Sequence, residues 1–176
     1  MRGAGRSIFQ TRSAEQHWHS KARLSADRDS PDELRVRALR HLARREHSRD
    51  ELARKLAPYA ESQELLEDVL RELESKKQLS NERFAEVRAH WLARKYGASK
   101  IRQDLKEKGV SEDIARRVVS EADELEKARA ILKRKYRDHG MTREERARRA
   151  RFLQSRGFSY DTIRRALSSS TNFPEE

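Results

Sequence analysis

The chain has no cysteine. Neither a disulfide nor a thiolate metal site can be built from it, which fits a reducing compartment. No apolar run approaches the roughly 20 residues of a membrane span, and the N-terminus has no hydrophobic signal core. Leu, Ile, Val and Phe make up just under a fifth of the 176 residues, aromatics 6%, and charged residues 40%. That balance borders on the composition of disordered proteins, so a fold has to be argued from pattern.

Catalytic constellations are also missing. The six histidines, His17, His19, His41, His47, His90 and His139, contain no HExxH motif and no i, i+4 pair. There is no Gly-x-Ser-x-Gly elbow. The pair His17 and His19 around Trp18 reads as inert tail. Carboxylates alternate with Arg and Lys at helical spacing, the pattern of a solvated, ion-paired face. No enzymatic activity, cofactor or metal is expected.

What the chain does have is self-similarity. "HLARREH" at 41–47, "WLARKYG" at 91–97 and "ILKRKYR" at 131–137 echo one another, and "KGVSEDIARRVV" at 108–119 returns as "RGFSYDTIRRAL" at 156–167. A period of about 40–50 residues is the signature of stacked structural repeats. The helix signals agree. Ser30-Pro31-Asp32-Glu33, Ser48 with Glu51, and Thr142 with Glu145 are capping boxes, and Ser62, Ser80, Ser111 and Ser159 precede further apolar helical patterns. Leu79 with Phe84 and Phe158 with Ile163 are placed as hydrophobic staples. Gly97, Gly109, Gly140 and Gly157 fall just past expected helix ends, where a left-handed residue would close the helix. Nothing reads as a strand.

The expectation is an all-α protein of three tandem three-helix repeats forming an elongated, curved array. Its repeats span 30–79, 80–122 and 123–168, flanked by disordered segments 1–29 and 169–176. Residues 1–29 are read as a basic tail in preference to a transit peptide. Each copy of the Leu-x-Arg-(Lys/Arg) motif then marks the end of a repeat's first helix. Such units bury too little surface to stand alone and must lean on neighbours. In the helix at 81–96, Phe84, Val87 and Trp91 make one apolar stripe, and Ala85, Ala89, Leu92 and Tyr96 another beside it. That width predicts burial on two sides, with Trp91 in the core between repeats. Tyr160 is expected to be exposed.

The net charge is +11. Residues 30–80 carry 11 basic and 11 acidic side chains, but residues 123–176 carry 14 against 9. Between 133 and 156 there are ten Lys or Arg and three acids, more than ion pairing requires. A polyanion or an acidic surface is the expected partner there. The candidate contacts are Arg94, Lys95, Lys133, Arg134, Lys135, Arg137, Arg146, Arg148, Arg149, Arg151, Arg164 and Arg165. Arg164 and Arg165 match Arg116 and Arg117 in repeat position. They present either equivalent contacts or equivalent solvated edges.

"HLARREHSRDELARKL", "LSNERFAEVRAHWLARKYGASKIRQDLKEKGVSEDIARRVV" and "RARFLQSRGFSYDTIRRAL" resemble, in order over about residues 33–168, the RecX family of bacterial recombination regulators. The resemblance implies three three-helix repeats and a cytoplasmic protein. It further implies binding to RecA recombinase filaments on DNA, damping their ATP hydrolysis, strand exchange and co-protease activity from the filament groove. It carries over no catalytic residue. Asn81 stands where relatives often have Asp, which is expected to alter only a helix cap, and residues 1–29 have no family counterpart. The protein is expected to be a monomer that touches single- or double-stranded DNA through its basic face, without a membrane. A helical module acting directly on DNA or RNA is the alternative.

Overall fold

A computed structural model describes residues 28–120, 123–136 and 142–168. The calls on residues 1–27 and 169–176, on Gly140 and on Arg137 lie outside these. The described residues form nine α-helices and no strand, with one isolated bridge between Asp29 and Ala60. Asp29, assigned to the tail by sequence, is tied down: its N–H donates to the Tyr59 carbonyl at 2.9 Å and its carboxylate pairs with Arg37.

The first repeat holds α1 (Pro31–Leu42), α2 (Arg49–Leu56) and α3 (Gln63–Ser75), around Leu34, Leu52, Leu56, Leu66, Leu70 and Leu73. The second holds α4 (Asn81–Ala93), α5 (Ala98–Glu107) and α6 (Glu112–Val118), around Phe84, Leu92, Ile101 and Leu105. The third holds α7 (Glu124–Lys135), α8 (Arg143–Ser155) and α9 (Tyr160–Ser168), around Ile131, Leu132, Leu153, Phe158 and Ile163. Each repeat therefore has its own small core, and the capping serines set where each helix starts. Ser30 and Thr142 form complete capping boxes. Ser48 caps α2 alone, because Glu51 is drawn away to Arg45 at 2.9 Å and to Lys108 of the second repeat at 3.4 Å.

The junctions between repeats follow one rule. The first turn of a helix leaves backbone N–H groups without intrahelical partners. At both junctions, the first residue of the next repeat's opening helix satisfies one such group on the middle helix of the repeat before. Asn81 Oδ1 accepts from Arg49 N at 2.8 Å, and Glu124 Oε1 accepts from Ala98 N at 2.7 Å. Asn81 is thus not the cap of its own helix, which is Ser80, but a cap supplied across the junction. Glu124 is buried and also accepts from the Thr162 hydroxyl at 3.0 Å, which ties α5 to α9.

Gly97 departs from the expected role. Helix α4 stops at Ala93, and Gly97 is the extended N-cap of α5, with φ of −80°. It is required for close approach. A Cβ there would sit 2.7 Å from both Gly157 C and Phe158 N, and the Gly97 N–H donates to Arg156 O at 2.8 Å. Gly157 is left-handed at φ +80°, as a residue past a helix end should be.

Two histidines sit in the first repeat, His47 buried and His41 partly so, with ring centroids 5.8 Å apart. Burial lowers both from the usual 6.5; Lys55 and Arg45 lower both further and Arg44 lowers His41, while the hydrogen bond to the Arg45 carbonyl and the Glu51 carboxylate oppose part of the shift at His47. The unfolded chain therefore takes up these protons first as pH falls. Thermal melts should show stability declining below about pH 6.5, well above the range where the paired carboxylates of Glu51 and Glu72 are protonated. Replacing both histidines with Gln should flatten that decline.

Candidate filament and nucleic-acid interface

Between the second and third repeats lies an open cleft of about 1290 Å³. Its floor is apolar, with the accessible Ala93, Val118 and Ala130 over the buried Ala89, Ile101, Val119 and Ile131. Its rim carries five cations, Arg94, Lys95, Arg117, Lys127 and Arg134, against Glu82, Glu86 and Asp123. Arg117 reaches Glu82 at 3.4 Å. Arg134 donates to the Arg94 carbonyl at 3.0 Å and Arg156 to the Lys95 carbonyl at 3.1 Å, so third-repeat arginines satisfy the backbone that follows α4. Three of the sequence candidates, Arg94, Lys95 and Arg134, are gathered here.

The remaining candidates separate. Lys133 and Lys135 are exposed near the end of α7, with Lys135 Nζ 3.8 Å from the Phe152 ring centroid. On α8, Arg146, Arg148 and Arg151 are exposed. Arg146 meets Arg143, Arg164 and Tyr160 at a smaller cleft of about 370 Å³ between α8 and α9. Arg164 and Arg165 both pair with Asp161, at 2.9 and 3.7 Å, and Arg116 pairs with Glu112 at 3.1 Å. The equivalent arginine pairs thus show the ion-paired edge, with Arg117 alone of the four lining the large cleft.

Arg149 was counted with its neighbours as an outward cation. It is buried, with its guanidinium 5.1 Å from the Tyr136 ring centroid. The reason is its position four residues before Leu153, which puts both on the inner face of α8.

Trp91 is the opposite correction. It is 52% exposed and Val87 60% exposed. Helix α4 buries only the arc of Phe84, Ala85, Ala89 and Leu92, against α5 and α6, and no described element covers its other stripe. Tyr160 is exposed as expected, at 83%. Trp91→Ala should accordingly shift stability by no more than about 0.5 kcal/mol, read from a urea midpoint, whereas a core tryptophan would cost several times that.

Fold and surface together define a tandem array of three-helix repeats with a cation-rimmed cleft at its second junction. The chain belongs to the RecX family of regulatory proteins. Residues 80–119 match the family's second three-helix domain and residues 121–167 its third. The regulatory protein RecX of Herbaspirillum seropedicae is 42% identical over 141 residues, 79% of this chain and 92% of that one. That of Neisseria gonorrhoeae is 39% identical over 135 residues, 76% and 88%. The crystal structure of RecX from Lactobacillus salivarius has the same fold, with a TM-score of 0.71 at 19% identity, covering 80% of this chain and 96% of that one. Among the described residues no helix is long and apolar enough to cross a membrane.

Proposed function

We propose that this protein binds RecA–DNA filaments in the cytoplasm as a monomer and restrains their ATP hydrolysis, strand exchange and co-protease activity, with no chemistry of its own. The observation that carries the reading is the cleft at the second junction, apolar in its floor and cationic at its rim, in a chain of the RecX family. An apolar floor gives a protein surface something to bury, and the rim gives electrostatic steering toward an acidic one. Arg94, Arg117 and Arg134 would then contact recombinase. The exposed Lys133, Lys135, Arg146, Arg148 and Arg151 would supply the contacts to phosphate. The repeats, with bounds at 30–79, 80–122 and 123–168, would lie along the filament groove.

The test is RecA ATP hydrolysis on single-stranded DNA as this protein is added. Hydrolysis should fall in a saturable manner, and Ala130→Glu, which puts a carboxylate on the cleft's exposed wall, should relieve it. Hydrolysis that is unaffected at saturation would overturn the reading.

A further inference from the structure

Trp91 borders a second, smaller cup, of about 220 Å³, between α4 and α5. The cup is lined by Trp91, Tyr96, Lys95, Lys100, Arg88 and Asp104, with the buried Leu92 at its base. Its one carboxylate is already neutralised: Asp104 receives two hydrogen bonds from Arg88, each 2.9 Å, and this pairing raises the guanidinium's pKa. Lys95 and Lys100 are exposed, and Lys95 Nζ lies 5.3 Å from the Trp91 ring centroid. The lining is therefore two aromatic rings and two lysines beside a neutral ion pair. The same alternation runs on into the third repeat, where Arg156 lies 5.3 Å from the Tyr96 ring and 4.9 Å from Phe152.

The half-exposed indole of Trp91 offers a flat face for stacking, flanked by Arg88 and Lys95. A protein surface would match an apolar patch, but Trp91 has Arg88 and Lys95 within 5.6 and 5.3 Å of its ring centroid, and aromatic rings interleaved with cations suit bases and phosphates. We propose that this cup takes an unpaired base of single-stranded DNA, stacked on Trp91, with the flanking phosphates held by Lys95 and Lys100. Arg156 and Lys135 continue the track toward α8. The inference rests on the reading that the basic face meets DNA, and it names where the bases go; duplex DNA, whose bases are already stacked, would not enter.

Only two tryptophans occur in the chain, so Trp18→Phe leaves Trp91 as the sole indole. Titrating that full-length variant with a dT oligomer, without recombinase, should quench its emission, while a blunt duplex of equal length should not. Trp91→Ala should weaken dT binding by about 5- to 150-fold, the range for one stacked base, without changing the slope of affinity against salt, and Trp91→Phe should restore part of the loss. Lys95→Ala and Lys100→Ala should each flatten that slope by about 0.7. Absence of quenching at saturating dT, equal quenching by duplex, or quenching that appears only on recombinase-coated strands would overturn the proposal. The last of these would assign Trp91 to a protein contact and leave the filament reading intact. Quenching by naked dT with no effect on the recombinase would instead overturn the filament reading alone.

Discussion

Gly97→Ala is expected to destabilise the array by about 1–3 kcal/mol, with hydrogen exchange rising first across residues 142–168. At φ −80° and ψ 171° an alanine is acceptable to the local backbone. Its lower entropy in the unfolded chain would even favour the fold by about 0.4–1 kcal/mol were there room. There is none. The added methyl would lie 2.7 Å from Gly157 C and Phe158 N, backbone atoms that no rotamer change can move. Relief requires the third repeat to back away, which stretches the hydrogen bonds from Gly97 N to Arg156 O and from Ala98 N to Glu124. The sign of the effect therefore measures how tightly the second junction is closed. A midpoint in urea equal to or above the parent's would mean the junction has slack.

The second large effect is electrostatic. Replacing Arg146, Arg148 and Arg151 with Ala should flatten the dependence of log affinity for RecA-coated strands on log salt by about 2–3 units. Each lost phosphate contact removes about 0.7 on single strands or 0.9 on duplex, because each releases condensed counterions. Binding should weaken most at low salt and converge with the parent at high salt, regardless of DNA sequence. Arg149 is left out of the set because it is buried against Tyr136. Arg149→Ala should instead lower the urea midpoint and leave the slope alone, separating the structural arginine from the three exposed ones. An unchanged slope in the triple variant would make α8 a solvated face and shift the electrostatic contact to the cleft rim.

Much of the fold was legible from residues close in sequence. Ser30 with Glu33 and Thr142 with Glu145 fix helix starts within a single turn, and Phe158 with Ile163 share the third core at the entry to α9, whereas Leu79 packs in the first core and Phe84 in the second. These signals are local, so they survive without knowledge of the tertiary structure. The junctions were not legible, because their partners lie far apart. Asn81 caps a helix that begins 32 residues earlier, Glu124 one that begins 26 earlier, and Gly97 is required by Gly157. Trp91 failed for a related reason. Periodicity shows that α4 has a wide apolar arc, but not which part of the arc a neighbour covers. Arg149 could have been placed correctly: its spacing to Leu153 puts it on the buried face, a signal hidden by the density of arginines around it.

The candidate site was legible mainly as charge. Rising positive charge pointed to the third repeat, and the exposed arginines of α8 lie there. The cleft, however, draws as much from the second repeat, through Arg94, Lys95 and Arg117, as from Lys127 and Arg134 of the third. Residues 40 apart in sequence meet there because the Arg134 guanidinium donates to the Arg94 backbone carbonyl.

Cosedimentation with single-stranded DNA, naked and coated with RecA, separates a filament regulator from a helical module that acts on nucleic acid directly. At physiological salt this protein should pellet with coated strands at concentrations where naked strands retain little of it, because the cleft adds apolar burial that phosphate alone does not offer. Equal pelleting with naked and coated strands would contradict a filament-directed role and leave direct nucleic-acid binding as the function.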